Sequence, residues 1–164
     1  MKVKIFPYSR KFARKFLKIR EKISRIEKNI DIHHVGSTSV PGLEGKGIID
    51  ILIGVKSWKR GKEVVSSLKK MGFSHIHPLQ SGRTFVSKQK LTGLGDTHFP
   101  IVRIGTKQYS NFLEFRNYLR RNKRERESYI RIKKEILDKV KRDRKKYSQL
   151  KGEYIKSVLR KIKK

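Results

Sequence analysis

Apolar residues recur at helical spacing at both ends of the chain and in nearly continuous runs in its middle. Residues 8–28 carry one apolar stripe at intervals of four and three, which predicts an amphipathic helix: Phe12, Phe16, Ile19, Ile23 and Ile26. Residues 48–55 form an almost unbroken, β-branched apolar run, which predicts a buried strand with Asp50 as its single charge.

The remaining elements follow from the same periodicities and from turn residues. A short apolar segment at 32–35 breaks at Gly36, and residues 36–47 predict a loop with a helical turn. Residues 58–71 predict a helix that stops at Gly72. Strands are predicted at 73–77, 84–87 and 97–104, with a turn at 91–96. Pro100 predicts an edge position or a bulge for the last strand.

From Lys107 onward the pattern is helical to the end of the chain. Three helices are marked by their apolar residues: Phe112, Phe115 and Leu119; then Tyr129, Ile132, Ile136 and Val140; then Leu150, Tyr154, Val158 and Ile162. This order predicts one α+β domain over residues 1–164, with a mixed β-sheet flanked by an N-terminal helix and a C-terminal helical segment. In this prediction residues 1–30 contain the N-terminal helix, residues 31–106 the sheet core with the site, and residues 107–164 the basic C-terminal helices.

Positive charge dominates the composition and is unevenly distributed. The net charge is +30, and residues 107–164 alone carry 22 Lys/Arg against 7 Asp/Glu, a net +15. Such a field attracts polyanions, so RNA or another acidic partner is predicted at the basic helices. The alternative is that high lysine usage serves solubility.

Several site classes are excluded by composition. The chain has no cysteine, so disulfides and thiolate metal sites are ruled out. No apolar run approaches the ~20 residues of a membrane span, and the N-terminus lacks the apolar region of a secretory signal. The sequence therefore predicts a cytoplasmic protein with no membrane association, and it leaves the oligomeric state open.

A glycine-serine loop followed by a strand with one carboxylate carries the candidate chemistry. Gly36 allows close approach of the backbone to a ligand, and Ser37, Thr38 and Ser39 add donors. A carboxylate in an apolar strand is costly unless it is paired or binds a metal, and Mg²⁺ bridging it to phosphates is one solution. A simple turn, with Asp50 capping a neighbouring loop, is the alternative. A P-loop is rejected, because Val40 and Gly47 occupy positions where that motif needs Gly and Ser or Thr.

The segment HHVGSTSVPGLEGKGIIDILIGV resembles the signature of the GrpB family, and the resemblance extends over almost the whole chain. Residues 97–99 are similar to the family's His-Leu-His strand, and residues 115–120 to its Phe-Arg-Asp-x-Leu-Arg helix. Tyr129, Lys133, Tyr147, Lys151 and Tyr154 fit its closing helices.

That family is similar to the nucleotidyltransferase superfamily, and the resemblance implies roles for individual residues. The Gly36, Ser37 and Thr38 loop would bind the phosphates of a nucleoside triphosphate, and Asp50 would hold Mg²⁺. Lys46 and Arg83 would neutralise phosphate charge. His98 is a candidate general base, with a hydrogen-bonded histidine of the sheet as the alternative.

His34 and Arg116 are further candidates for ligand contact. His34 adjoins the loop and either bonds phosphate or shapes the turn. Arg116 either reaches back to the site, as the family pattern implies, or forms a surface salt bridge.

The chain also departs from the pattern of that superfamily. Leu52 stands where the second carboxylate of Asp-x-Asp is expected, and Asp96 is the candidate for a replacement metal ligand. Gly47 replaces the usual Pro, and Pro100 replaces the second His of the His-x-His pair.

Three hypotheses remain from the sequence. The favoured one is a Mg²⁺-assisted nucleotidyl or phosphoryl transferase with an acidic acceptor such as RNA. The second is a binding module with a degenerate site that holds a nucleotide, coenzyme or RNA phosphate without chemistry, and the third is a basic RNA-associated structural protein.

Overall fold

The computed structural model describes residues 3–80, 82–88 and 94–164. Over these residues the chain forms five helices and five strands, with a one-turn 3₁₀ helix at Ser37–Ser39. In chain order they are α1 (Arg10–Ile26), β1 (Asp31–Val35), β2 (Ile49–Val55), α2 (Trp58–Lys70), β3 (His75–Gln80), β4 (Arg83–Ser87), β5 (Thr97–Arg103), α3 (Lys107–Arg121), α4 (Lys123–Lys139) and α5 (Arg144–Ile162). The predicted turn at 91–96 falls partly outside the described residues.

The strands form one mixed sheet in the order β1-β2-β5-β4-β3. β2 and β5 pair in parallel, and the other three neighbouring pairs are antiparallel. A parallel pair needs a crossover, which α2 and the β3–β4 hairpin supply. The predicted α+β class with a mixed sheet is therefore confirmed.

Each face of the central strands packs against a different set of helices. Ile49, Ile51 and Ile53 of β2 join α1 and α2 in the main core. Leu52 faces the other way and packs with Val35 and residues of α3. Because both faces of β2 are covered, the strand shows a near-continuous apolar run.

The N-terminal helix buries most of its predicted stripe. Ser9 caps α1 by accepting a hydrogen bond from the N–H of Lys11, and Phe16, Ile19 and Ile23 are buried. Ile26, the last helical residue, is 57% exposed, so the buried stripe ends at Ile23, one apolar residue before its predicted end.

The buried face of α4 is rotated from the predicted one. Tyr129, Lys133 and Leu137 are buried, whereas Ile132 and Ile136 are only half-buried. A lysine can occupy such a face because its aliphatic stem packs on apolar surface. In α5, Val158 is buried as predicted, and Tyr147 and Leu159 join it.

The prediction of an edge position or bulge for Pro100 is wrong. β5 is the central strand, and its register on both neighbours has the same offset on either side of Pro100. The paired positions between β2 and β5 stop at His98 and resume at Ile101. A proline without an N–H is accommodated in that interruption of the ladder.

None of the helices in the described ranges is long and apolar enough to cross a membrane.

Candidate functional site

The carboxylate of Asp50 lies directly on the backbone of Gly36. Asp50 is the second residue of β2, on the face toward α3–α5, and its side chain is 32% exposed. Gly36 has φ 72° and ψ −175°, and a Cβ added there would lie under 3.0 Å from Asp50 Oδ2. That conformation is essentially restricted to glycine. The glycine therefore both turns the chain after β1 and makes room for the charged group.

Internal hydrogen bonds fix the loop that follows Gly36. The buried Thr38 hydroxyl donates to the carbonyl of Ile48 at 3.0 Å, and the Ser39 hydroxyl donates to the carbonyl of Gly36 at 2.7 Å. A Cβ on Gly45 would lie 2.6 Å from Ser37 Cβ, so the next loop segment packs closely on Ser37. Ser37 itself stays half-buried. Of the three hydroxyls, that of Ser37 is the one best placed to meet a ligand.

His34 and Arg116 hold the junction between β1 and the loop. The ring of His34 stacks on Phe16 at 4.8 Å, and its Nε2 lies 3.0 Å from the Thr38 hydroxyl. Burial lowers the pKa of His34 to about 4, so the ring is neutral at pH 7. Arg116 donates to the carbonyl of His34 at 3.0 Å. Both side chains have protein partners, and their contact with a ligand stays a prediction.

His98 faces Asp50 across the parallel pair of strands. The two residues are register partners, and His98 Nδ1 lies 3.5 Å from Asp50 Oδ1. Asp96 lies just before β5, where its carbonyl accepts the N–H of Ile49. Within the ranges that the structure describes, no three His, Asp or Glu side chains cluster as a ready-made metal site. The metal-binding roles of Asp50 and Asp96 therefore stay predictions.

Two lysines from different parts of the chain meet at the ring of Tyr147, and both interact electrostatically with Asp50. Burial, reinforced by Lys151 and Arg144, lowers the pKa of Lys46 to about 8, and Asp50 opposes that shift. Burial likewise lowers the pKa of Lys151, with Arg83 adding to the shift and Asp50 again opposing it. The ammonium groups lie 6.0 and 5.9 Å from the centre of the Tyr147 ring. The carboxylate of Asp50 thus interacts with two lysines whose ammonium groups are partly removed from solvent.

A third lysine supports the segment that carries Lys46. The buried Lys133 donates to the carbonyl of Glu44 and lies 4.7 Å from the centre of the Tyr129 ring. Its burial lowers its pKa to about 7. The neighbouring Lys134 pairs with the Glu44 carboxylate at 3.0 Å. Helix α4 therefore holds the loop at Glu44, the residue that precedes Gly45 and Lys46.

The predicted phosphate ligand Arg83 stands at the start of β4. Its guanidinium lies 5.9 Å from the centre of the Phe112 ring, and its side chain is exposed. Arg83 pairs with Val102, which lies on the face of the sheet that carries Asp50. Its charge lowers the pKa of Lys151. A phosphate contact by Arg83 remains a prediction.

The position of the missing second carboxylate is entirely apolar. Leu52 is fully buried with Val35 and Val102, under Tyr109 and Phe112 of α3. No solvent or ligand reaches this position, so Leu52 takes part in packing.

Lys151 and Arg144 were not among the predicted site residues. A usable signal was present for Lys151, because it interrupts the helical stripe of Tyr147, Tyr154 and Val158 with a charge. Lys133 interrupts the stripe of α4 in the same way. A lysine on the buried face of a helix indicates a functional or strongly structural group. No comparable pattern distinguishes Arg144 in its basic surroundings.

Sequence comparison relates almost the whole chain to one family. The family model described as GrpB protein matches residues 2–161. The UPF0157 protein BH1888 of Halalkalibacterium halodurans is 34% identical over 126 residues, which cover 76% of this chain and 62% of that protein. The glutamate-rich protein GrpB of Alkalihalophilus pseudofirmus is 33% identical over 113 residues, 66% of this chain and 65% of that one. The chain thus spans less than two thirds of the length of each of these two relatives.

Comparison with solved structures agrees with this relationship and extends it to a fold. The GrpB protein of Enterococcus faecalis superposes with a TM-score of 0.80 at 25% identity, covering 97% of this chain and 96% of that one. The Cid1 poly(U) polymerase with bound MgGTP superposes with a TM-score of 0.53 at 15% identity, covering 77% and 43%. The second similarity shows a shared nucleotidyltransferase-like fold. On the strength of the family match over residues 2–161, this chain belongs to the GrpB family.

Proposed function

We propose that this chain binds a nucleoside triphosphate at Asp50 and transfers a nucleotidyl or phosphoryl group from it to an acidic acceptor such as RNA. The observation that carries the proposal is the placement of the Lys46 and Lys151 ammonium groups at the Tyr147 ring, within electrostatic reach of the accessible carboxylate of Asp50. Buried cations in excess of their acidic partners favour an anionic ligand. The fold shared with Cid1, whose structure contains MgGTP, supports a nucleotide as that anion.

The donor set around Asp50 suits a single Mg²⁺ ion. Mg²⁺ is commonly held by one or two carboxylates, with phosphate oxygens and waters completing its octahedron. Asp50 offers one accessible carboxylate, and the phosphates of the ligand would supply further oxygens. When bound, the ion would withdraw charge from the phosphate that reacts. A second ion held by the Asp-x-Asp pair is not expected, because Leu52 is apolar and fully buried.

The remaining residues divide the work of binding and transfer. Lys46 and Lys151 neutralise the negative charge that grows on the departing phosphates, and Arg83 adds to the same field. Gly36 lets the backbone approach the ligand beside the Ser37 hydroxyl. His98, held next to Asp50, is placed to accept the proton of the attacking hydroxyl. Asp96 is the candidate for an additional metal contact at the start of β5.

The acceptor is assigned from charge. Residues 107–164 carry a net +15, and exposed lysines and arginines occur on both α4 and α5. A basic surface of this size binds phosphate backbones through counterion release and draws them toward the site. RNA gathered by these helices would present its hydroxyl end near Asp50.

A second candidate function is nucleotide binding without chemistry. It is favoured by Leu52, because the loss of one carboxylate removes half of the metal-binding pair on which two-metal transfer depends. Under this alternative the same residues hold the phosphates, and His98 only orients Asp50.

Calorimetric titration of ATP, GTP, CTP and UTP with and without Mg²⁺ tests the proposal. We expect Mg²⁺-dependent binding that is lost in Asp50→Asn and retained in Asp138→Asn, an exposed control on α4. Failure of all four nucleotides to bind would overturn the proposal. Transfer is then assayed with radiolabelled nucleotide and an RNA oligonucleotide. Binding without labelled product would replace the first function by the second.

A further inference from the structure

A strip of aromatic and imidazole rings continues from Asp50 across three strands. The register places His98 of β5, Phe85 and Ser87 of β4, and His77 of β3 on the face that carries Asp50. The ring centres of His98 and Phe85 are 4.6 Å apart, and those of Phe85 and His77 are 4.5 Å apart. His75 extends the strip by a further contact of 4.5 Å. The rings thus form one connected surface that begins beside the carboxylate.

Among the residues that the structure describes, fewer pack on this part of the sheet than on the rest of it. Helix α3 packs on β1 and β5, and none of the helices makes an extensive contact with β3 or β4 in the described part of the chain. Phe85, His77 and His75 are half-buried, whereas Leu52 and Val102 on the same face are fully buried. A sheet face with half-exposed rings can accept a flat ligand without moving a helix.

His77 contributes an unsatisfied polar atom to the strip. Its Nε2 is buried and has no hydrogen-bond partner among the described residues. Burial and the neighbouring imidazoles of His75 and His98 lower the pKa of His77, which keeps its ring neutral at pH 7. A neutral imidazole carries one donor and one acceptor, and both complement the edge of a nucleobase. An unpaired buried nitrogen is a cost that such a partner would remove.

We propose that the strip of Phe85, His77 and His75 is the nucleobase subsite of the phosphate site at Asp50. This inference rests on the proposed function, because it uses the phosphates at Lys46 and Lys151 to fix one end of the ligand. The base stacks on Phe85, and the imidazole of His77 bonds its edge. Bases stack on aromatic side chains whatever their identity, since each has a π-face.

Charge and distance favour a base over an apolar peptide as occupant. Phe85 is separated from Asp50 by the single ring of His98, so phosphate and base sites lie within the reach of one nucleotide. One end of the strip lies beside Asp50, which interacts electrostatically with Lys46 and Lys151. A nucleotide fits this arrangement, because its phosphates are anionic and its base is flat. An apolar peptide would find three imidazoles on this surface and gain little from them.

The test compares ATP with inorganic tripolyphosphate, both with Mg²⁺, on the full chain. We expect Phe85→Leu to weaken ATP binding by about tenfold, the loss typical of one stacked base, and to leave tripolyphosphate binding unchanged. Phe73→Leu is the matched control, because Phe73 packs against Phe99 and the core on the opposite face of the sheet. It should change neither affinity. Lys151→Gln should weaken both ligands.

The outcomes separate the subsite from the proposed function. If tripolyphosphate binds as tightly as ATP, or if Phe85→Leu weakens both ligands equally, the base subsite is overturned and the phosphate site stands. If neither ligand binds, the proposed function fails and the inference fails with it. Should Phe85→Leu not fold, histidine ring signals of the unmodified protein provide the measurement. ATP, but not tripolyphosphate, is expected to shift the NMR signals of His77, and unshifted signals would overturn the subsite.

Discussion

Replacing Gly36 by alanine perturbs the contact on which the candidate site depends. The glycine lies at φ 72° and ψ −175°, where a residue with a Cβ is strained by about 1–3 kcal/mol. The added Cβ also meets the Asp50 carboxylate, which must move away from the loop. Because the two effects add, we expect Gly36→Ala to lower the free energy of unfolding by about 3 kcal/mol, near the top of that range. It should also abolish Mg²⁺-dependent nucleotide binding.

Two other glycines separate strain from contact. Gly42 has a similar φ of 79° but nothing within 4 Å of an added Cβ, so Gly42→Ala reports backbone strain alone, about 1–2 kcal/mol. Gly152 lies inside α5 with open space around it, and Gly152→Ala should stabilise the protein by up to ~1 kcal/mol. Urea unfolding followed by the fluorescence of Trp58, the single tryptophan, measures all three variants.

A double-mutant cycle tests whether the contact with Asp50 is the cause. Asp50→Ala removes both carboxylate oxygens and leaves only its Cβ, 3.2 Å from the Cβ of an alanine at 36. We therefore expect Gly36→Ala to cost about 1 kcal/mol less in the Asp50→Ala background, a coupling of the size found between touching residues. Strict additivity would refute the reasoning. So would equal costs for Gly36→Ala and Gly42→Ala.

Three further predictions concern charge. The double variant Lys156→Glu with Arg160→Glu, on the exposed face of α5, should weaken RNA binding and flatten its salt dependence. Its nucleotide affinity should stay intact. Equal loss of RNA and nucleotide affinity would contradict the division between the site and the basic helices. Tripolyphosphate affinity should fall as pH rises through about 8, because the ammonium of Lys46 is the binding form. Lys46→Arg should lose less affinity over the same range, because the arginine stays charged and Lys151 alone of the two positions still titrates. The pKa of His34 is about 4 in the folded protein against 6.5 for an exposed histidine. Between these two pH values the unfolded chain therefore binds a proton that the folded protein does not. As pH falls from 6.5 to 4, this difference should lower the free energy of unfolding by up to ~3 kcal/mol. His34→Gln should lose much less over that range in urea unfolding, and an identical pH profile would contradict the assignment.

The sheet and its helices could be predicted because their apolar patterns are strong. β2 and α1 have periodicities that few other structures satisfy, and both were found within two residues of their predicted ends. The central position of β5 could not be predicted in this way, since Pro100 locally favours an edge. Strand order depends on the α2 crossover and the β3–β4 hairpin, which a local pattern does not encode.

The candidate site was predictable where the chain is contiguous. Gly36 and Asp50 lie in one motif, and the structure brings them into contact. Lys151 comes from a helix that starts over ninety residues after Asp50, so its place beside the carboxylate arises only from tertiary packing. His98 could be predicted from the resemblance to the family, but its position beside Asp50 follows from the register of β2 and β5.

The lysines make the strongest case that this region exists for a ligand. Lys46, Lys133 and Lys151 all have pKa values lowered by burial, which means that the fold holds them at a cost. The hydrogen bond from Lys133 to the Glu44 carbonyl offsets part of that cost. Lys46 and Lys151 share the electrostatic attraction of the Asp50 carboxylate. Apolar residues in place of Lys133 and Lys151 on their helices would pack at least as well. A polyanion that binds the folded state alone would relieve this repulsion and stabilise the fold in proportion to the logarithm of its concentration. The buried lysines therefore make sense as part of a phosphate-binding site, whereas they would weaken a region whose role was only to stabilise the fold.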